Sequence, residues 1–232
     1  IQNNVAEKHG GAIYAYSKIG DNKLSFDGGK ICDNEAKSGD GGALYLGYAI
    51  AEFGANGGCT ELSRNVAGSL GGALNFARGA TGTIYRAILT DNVSNIYAGT
   101  AGGGAISIYL GGSVQMKNVY ITDNQTITGY DHYGALYTCP TGETALFEID
   151  GALAVDNKGQ NGLRQPDIMH NADNNNPLAV YVSDKALGGG DITFSKDKAG
   201  ATVAEPSEYQ YSTKSFTLYS RVTEEAKAWA KE

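Results

Sequence analysis

Residues 31–45 read ICDNEAKSGDGGALY, and two phrases of this stretch return along the chain at nearly constant intervals. The Gly-Ala-aliphatic phrase at Gly42 also begins at Gly11, Gly72, Gly104 and Gly134, with alanine steps of 31, 30, 32 and 30 residues. The aliphatic-x-x-Asn phrase starts at Ile31, Leu62, Leu89 and Ile121 and ends at Asn34, Asn65, Asn92 and Asn124; Asn4 and Asn157 extend this asparagine column. Two independent phrases with one period indicate an internal structural repeat.

The residues around both phrases favour strands, because Ile, Val, Tyr, Thr and Phe dominate and Gly, Asn and Asp separate the runs. A unit of about 30 residues that holds three short strands is too short for a βαβ unit. It fits one coil of a parallel β-helix, in which each strand stacks about 4.8 Å from its counterpart in the next coil. We assign the three strands to the Gly-Ala phrase, to a middle run such as residues 23–26, and to the run before Asn.

Side-chain alternation along the Gly-Ala strand predicts which residues face the core. One aliphatic column must face inward, and it consists of Ile13, Leu44, Leu74, Ile106 and Leu136. The residues between these positions are predicted to face outward: Tyr14, Tyr16, Tyr45, Asn75, Ser107, Tyr109 and Tyr137. We expect the asparagine column at a turn, where Asn tolerates the left-handed conformation and its amide can bond along the stack.

The paired phrases resemble the GGA-[ILVFY] and F-x-x-N signature of polymorphic outer-membrane-protein repeats, with aliphatic residues at the Phe position. The resemblance covers about residues 1–157. It implies a right-handed parallel β-helix of the kind found in bacterial surface and autotransporter-type adhesins. It further implies an extracellular or cell-surface location, and we expect the chain to be a fragment of a larger secreted or displayed protein.

After Asn157 the repeat register is lost. We therefore divide the chain into regular coils over 1–157 and an irregular continuation and cap of the same solenoid over 158–232. Residues 158–177 are polar and predict a loop, strands are expected near 178–183, 191–195 and 214–220, and residues 222–230 predict a short C-terminal helix.

Composition excludes several partners. The net charge of −7 counts against nucleic acid and anionic lipid, and no run approaches 18 apolar residues, so we expect no membrane insertion. The three cysteines include no C-x-x-C pair, so a zinc site is not expected, whereas Cys32 and Cys59 could form a disulfide.

An acid precedes the asparagine in four coils, and we call Asp33, Asp91, Asp123 and Asp156 the acid column. Stacked carboxylates can bind Ca²⁺ or perform acid/base chemistry, but Asp-Asn is also ordinary turn chemistry repeated by duplication. A catalytic site should be singular, so the repetition favours the turn interpretation. We predict no catalytic residue and no cofactor, with Ca²⁺ at the acid column as the alternative.

The outward tyrosines are the stronger binding candidates, because tyrosine combines apolar area with a hydroxyl. The predicted ligand-binding residues are Tyr14, Tyr16, Tyr45, Tyr109 and Tyr137, together with Tyr130 and His132 in a lengthened loop. The sequence thus favours an adhesin that binds a host or matrix glycan or protein. The alternatives are a β-helix polysaccharide lyase or glycoside hydrolase, and a stalk that binds nothing.

Overall fold

The computed structural model describes residues 1–18, 22–95, 102–127, 135–139, 146–155 and 157, and short strands at 168–170, 178–182, 192–196, 208–211 and 216–220. The described residues form an all-β parallel solenoid and contain no helix. Strands of the Gly-Ala phrase stack at steps of 31, 30, 32 and 30 residues. These steps equal the alanine steps of the sequence, so the predicted fold class is confirmed. The predicted C-terminal helix lies outside the described residues.

Each coil contributes one strand to each of four parallel stacks. The strands of the Gly-Ala phrase, here called the GGA strands, are β2 (Ile13–Tyr16), β6 (Leu44–Gly47), β10 (Leu74–Ala77), β14 (Ile106–Tyr109) and β17 (Leu136–Cys139). Their stack continues with β19 (Ile168–His170), which has no Gly-Ala phrase. The middle strands are β3 (Asn22–Phe26), β7 (Ala49–Phe53) and β11 (Thr81–Ile84), and the strands before Asn are β4 (Gly29–Cys32), β8 (Thr60–Ser63) and β12 (Ala87–Thr90). In later coils β15 (Ser113–Thr122) and β18 (Leu146–Val155) run through both positions.

The fourth stack was not predicted. It consists of short strands directly after each asparagine: β1 (Val5–Ala6), β5 (Glu35–Ala36), β9 (Val66–Ala67), β13 (Val93–Asn95) and β16 (Gln125–Ile127). These segments have two or three residues each and no clear hydrophobic alternation. Their pairing arises from the backbone ladder that the neighbouring coils impose, which the residues themselves do not encode.

The predicted inward column forms the centre of the hydrophobic core. Leu44, Leu74 and Ile106 are fully buried, and they pack with the Ile31, Leu62, Leu89 and Ile121 column from the opposite wall. Ile13 is half-buried because it belongs to the outermost described coil. Glycine creates room where the core needs it: a Cβ at Gly82 would lie 2.5 Å from the Phe76 ring.

The asparagine column is a continuous hydrogen-bonded ladder. Each amide nitrogen donates to the amide oxygen of the next coil over 2.8–3.0 Å, from Asn4 through Asn34, Asn65, Asn92 and Asn124 to Asn157. The same amide oxygens accept backbone N–H groups. The amides of Asn65, Asn92 and Asn124 also donate to backbone carbonyls of the preceding coil, 30–35 residues earlier in the sequence. The predicted bonding along the stack is confirmed.

The prediction that asparagine itself adopts the left-handed conformation is wrong. The residue before it does so: φ is 57° at Asp33, 53° at Arg64, and 55° at both Asp91 and Asp123. That residue makes the corner with its side chain outward, which lets the asparagine side chain point into the wall of the solenoid. A non-glycine residue in this region costs about 1–3 kcal/mol, and the ladder offsets this strain.

Beyond Asn157 the stacking continues and then changes direction. β19 pairs in parallel with β17, and β20 (Leu178–Val182) pairs in parallel with β18. β22 (Glu208–Tyr211) is antiparallel to β20, and β21 (Ile192–Lys196) pairs antiparallel with β23 (Phe216–Ser220). The three predicted strands are present, but β19 lies inside the stretch 158–177 that we expected to be a loop. The division at residue 157 stays a prediction.

Candidate functional site

The predicted outward tyrosines are not equally accessible. Tyr14 is 55% exposed and Tyr16 is 37% exposed, whereas Tyr45 is 7% and Tyr137 is 1% exposed. Tyr109 is half-buried. The prediction that these tyrosines form one exposed row is therefore wrong for Tyr45 and Tyr137, although their place on the outer side of the GGA strands is as expected.

The segment that leads into each GGA strand covers the outer side of these strands. Tyr137 packs its ring on Gly102, where a Cβ would lie 2.6–2.8 Å from three ring atoms, and Tyr137 also contacts Leu70. The His9 ring lies 4.7 Å from that of Tyr45 between centroids. A strand pattern alone shows only the inner and outer sides, and cannot show that a preceding segment folds back over the outer one.

A buried polar pair interrupts the row at its centre. Asn75 and Ser107 were expected to face outward, yet both are fully buried. The Asn75 amide donates to the Ser107 hydroxyl over 2.6 Å. Of the tyrosines predicted on this row and described in the structure, only Tyr14 and Tyr16 are exposed, and both belong to the first coil.

Four aromatic rings remain accessible together at one corner of the solenoid. We define the aromatic patch as His9, Tyr14, Tyr16, Tyr45, Tyr48 and Arg78. Tyr14 stacks on Tyr45 at 5.1 Å and on Tyr16 at 6.1 Å, with interplanar angles of 13° and 12°. Tyr48 is 38% exposed and meets Tyr16 edge-on at 5.5 Å. Tyr45 thus forms the buried base on which the exposed rings rest.

The patch contains one permanent cation. The guanidinium of Arg78 lies close to the Tyr48 and Tyr45 hydroxyls, and their attraction for the cation raises the pKa of Arg78. Burial raises the pKa of the Tyr45 hydroxyl, so that group is neutral at physiological pH. A shallow hollow of about 220 Å³ lies beside the guanidinium and is lined by Tyr48, Arg78, Gly79 and Leu110.

Sequence reasoning missed His9, Tyr48 and Arg78. Tyr48, Arg78 and Leu110 each follow a GGA strand directly and share a left-handed φ of 54–56°. They therefore form a corner column, which the constant repeat spacing could have indicated. Its residue types vary from coil to coil, so the column carries no recurring phrase.

The acid column makes local contacts in the described coils. Asp33 accepts two hydrogen bonds of 2.7 Å from Arg64, and these bonds lower the pKa of Asp33 and raise that of Arg64. Asp91 and Asp123 accept bonds from the preceding threonine hydroxyls over 3.0 and 3.2 Å. In the described part of the chain no three His, Cys, Asp or Glu side chains converge as metal ligands. Asp156 lies outside the described residues, as do Tyr130 and His132.

A second depression, of about 520 Å³, lies over the strands that follow the asparagines. Glu7 and Glu35 line it together with Lys37, Ser38, Val66, Gly68 and Asn95. The Glu7 carboxylate is 81% exposed and forms an ion pair with Lys37. A glycosidase-type acid requires a raised pKa, which burial normally supplies. This depression therefore lacks the buried carboxylate that the enzyme alternative needs.

The described residues contain neither the Cys32–Cys59 disulfide that the sequence left open nor a membrane-spanning helix. Cys32 is buried, and it is not joined to Cys59 by a disulfide. Burial and the neighbouring Asp33 raise the pKa of the Cys32 thiol, which makes it an unreactive core residue. No described segment is a helix with the length and apolarity of a membrane span.

Comparison with protein families agrees with the repeat geometry. Residues 1–16, which span β1 and β2, match the Chlamydia polymorphic membrane protein repeat. This segment of the chain is therefore similar to a polymorphic membrane protein repeat. Together with the parallel solenoid, this match confirms the resemblance noted in the sequence. Chlamydia polymorphic membrane proteins are associated with the outer membrane and the surface, and this similarity agrees with the expected cell-surface location. Searches of curated proteins and of solved structures found no match to it.

Proposed function

We propose that this chain is the solenoid part of a bacterial cell-surface adhesin, and that its aromatic patch binds a glycan or a protein of the host or matrix. The observation that carries the proposal is the cluster of Tyr14, Tyr16 and Tyr48. These rings are 37–55% exposed, yet each is held by an aromatic neighbour. Exposed aromatic residues grouped on one surface are typical of recognition sites.

The patch is well suited to binding because its rings are already ordered. The Tyr14 ring stacks on the rings of both Tyr16 and Tyr45, and Tyr45 is itself buried. A ligand that stacks on these rings therefore pays little entropy for ordering side chains. The tyrosine hydroxyls and the Arg78 guanidinium supply polar contacts at the edge of the apolar surface.

The scaffold contributes stiffness. The backbone ladders and the asparagine ladder connect every described coil to the next, so the patch keeps its shape as a rigid unit. A passive role follows: the solenoid presents the patch and holds it in place, and it needs no chemical step. This mechanism is that of an adhesin or display protein rather than an enzyme.

A glycan-array screen of the chain with a variant pair tests the proposal. The Tyr14→Ala/Tyr16→Ala/Tyr48→Ala variant should lose at least about tenfold in affinity for any bound glycan, which corresponds to one lost stacking contact or more. Tyr85→Ala is the matched control, because Tyr85 is also 38% exposed but lies outside the patch. Equal binding by wild-type chain and triple variant would refute the proposal, and cleavage of an arrayed glycan would favour an enzyme instead.

A protein ligand requires a second arm of the same experiment. Wild-type chain and triple variant are compared for adhesion to immobilised extracellular-matrix proteins and to cultured cells. Loss of adhesion in the triple variant, with retention in Tyr85→Ala, supports the proposal for a protein partner. If the folded chain binds neither glycans, matrix proteins nor cells, the chain acts as a stalk.

A further inference from the structure

Arg78 differs from other cations of the described coils in its surroundings. Several cations pair with an acid on a neighbouring coil: Lys23 with Glu52 at 2.8 Å, Lys30 with Glu61 at 2.7 Å, Lys37 with Glu7 at 2.5 Å, and Arg64 with Asp33 at 2.7 Å. Arg78 is exposed, and the groups that act on it are neutral tyrosine hydroxyls. In a chain of net charge −7, this guanidinium presents uncompensated positive charge to solvent.

The backbone of Arg78 is fixed at a corner of the solenoid. Its backbone N–H donates to the Tyr109 carbonyl over 3.0 Å at the left-handed corner, where φ is 55°. At the other end of the side chain, the guanidinium lies beside the Tyr48 hydroxyl and borders the shallow hollow. Because Arg78 is exposed, its N–H donors are open to a ligand, and a planar guanidinium can give two parallel bonds to a carboxylate.

We propose that Arg78 and its neighbouring tyrosines form a subsite for a carboxylate-bearing sugar, such as a uronic or sialic acid residue of an acidic glycan. This inference rests on the proposed function of the aromatic patch and specifies its ligand class. The guanidinium binds the sugar carboxylate, and the hollow beside it accommodates the pyranose ring. The exposed faces of Tyr16 and Tyr48 contact the apolar face of the sugar.

The dimensions of the repeat agree with an oligosaccharide. Successive coils lie about 4.8 Å apart, a spacing close to the length of one pyranose unit. Tyr16, Tyr48 and Arg78 come from three consecutive coils, because Tyr16 pairs with Gly47 and Gly47 pairs with Ala77. A short glycan lying parallel to the solenoid axis would place successive sugars over these side chains.

The experiment is calorimetric titration of the full chain with pairs of oligosaccharides that differ in the carboxylate. Tetragalacturonate is compared with its methyl ester, and 3′-sialyllactose with lactose, so that the two pairs separate the uronic from the sialic source. The variants are Arg78→Gln, Arg78→Lys and the control Arg64→Gln. Arg64 has the same residue type and nearly the same backbone conformation, with φ of 53°, but pairs with Asp33 at a different corner.

We expect the acidic member of at least one pair to bind at least about tenfold more tightly than its neutral partner. Arg78→Gln should abolish this preference, so that the acidic and neutral sugars of a pair bind equally. Arg78→Lys should retain part of the preference, and Arg64→Gln should retain all of it. The preference should also weaken with added salt.

Three results would overturn the inference, and they differ in what they mean for the proposed function. Equal binding of acidic and neutral sugars that still depends on Tyr14, Tyr16 and Tyr48 overturns the carboxylate subsite but retains the aromatic patch. If Arg64→Gln and Arg78→Gln reduce the preference for acidic sugars equally, this preference reflects the overall charge of the chain. That result also overturns the subsite. Absence of binding by any of the four sugars overturns the subsite, and the adhesion assay then decides the proposed function separately.

Discussion

Replacing Asn92 by alanine should be among the most damaging single changes in this solenoid. The Asn92 amide makes four hydrogen bonds in a fully buried position. Its nitrogen donates to the Leu62 carbonyl over 2.9 Å and to the Asn124 amide oxygen over 2.8 Å. Its oxygen accepts from the Asn65 backbone and amide nitrogens over 3.0 and 2.9 Å.

The magnitude follows from the groups that lose their partners. In Asn92→Ala the Asn124 oxygen keeps the backbone N–H of residue 92, at 3.1 Å. The Leu62 carbonyl, the Asn65 backbone N–H and one Asn65 amide hydrogen are left unsatisfied. A buried group without its partner costs about 1–3 kcal/mol, so three such groups, with partial relaxation, cost about 3–6 kcal/mol. Few single substitutions reach this range.

Urea unfolding followed by circular dichroism measures the effect as a shift of the midpoint at constant slope. Asn4→Ala is the matched control, because Asn4 occupies the same column but is exposed. Its amide nitrogen donates one hydrogen bond to the Asn34 amide oxygen over 2.9 Å and one to the Gln2 carbonyl over 3.0 Å. We expect this control to lose less than about 1 kcal/mol. If Asn92→Ala unfolds at the same urea concentration as Asn4→Ala, the buried hydrogen bonds of the asparagine ladder do not supply the expected stability.

Three further predictions concern stability. Gly102→Ala should destabilise the solenoid by about 1–3 kcal/mol through overpacking, because the new Cβ would lie 2.6 Å from the Tyr137 ring. Adding Tyr137→Leu should restore part of the lost stability, measured by thermal unfolding. A Gly102→Ala variant as stable as the wild type would contradict this prediction. Arg64 lowers the pKa of Asp33 in the folded chain. Their ion pair therefore contributes its full stabilisation of the fold at pH values above the aspartate pKa of the unfolded chain. This contribution is lost as the pH falls through the Asp33 pKa of the folded chain. The difference in Tm between wild type and Arg64→Gln should therefore be present at neutral pH, begin to shrink below about pH 4, and disappear only when Asp33 is protonated in the folded chain as well. A difference that persists at still lower pH would exclude the ion pair as its cause. Chelation with EDTA should leave Tm unchanged, since the described members of the acid column already have protein partners; a rise in Tm on adding Ca²⁺ would show that the column binds the ion.

Much of the fold could be predicted because the repeat encodes it redundantly. The inward column from Leu44 to Leu136 and the asparagine column recur at one spacing, so each coil independently indicates the same register. The prediction was less complete at the corners. The left-handed residue is Asp33 rather than Asn34, since the buried ladder needs the asparagine side chain directed inward.

The candidate site was predictable only in part. Tyr14 and Tyr16 are exposed as expected, but Tyr45 and Tyr137 are buried beneath the segments that enter the GGA strands. Periodicity distinguishes the two sides of a strand and carries no information on what covers the outer side. Tyr48 was missed for a related reason, because its partner Tyr16 belongs to another coil and is 32 residues away.

The sequence by itself determined the solenoid, its coil length, its aliphatic core and its asparagine ladder, because these depend on residue types that recur with the period of the backbone. Only the tertiary structure decided which tyrosines meet solvent and that Arg78 lies among them. Both depend on contacts between coils at positions where the residue type changes from coil to coil. At such positions size complementarity decides the outcome, as where the absent side chain of Gly102 admits the Tyr137 ring.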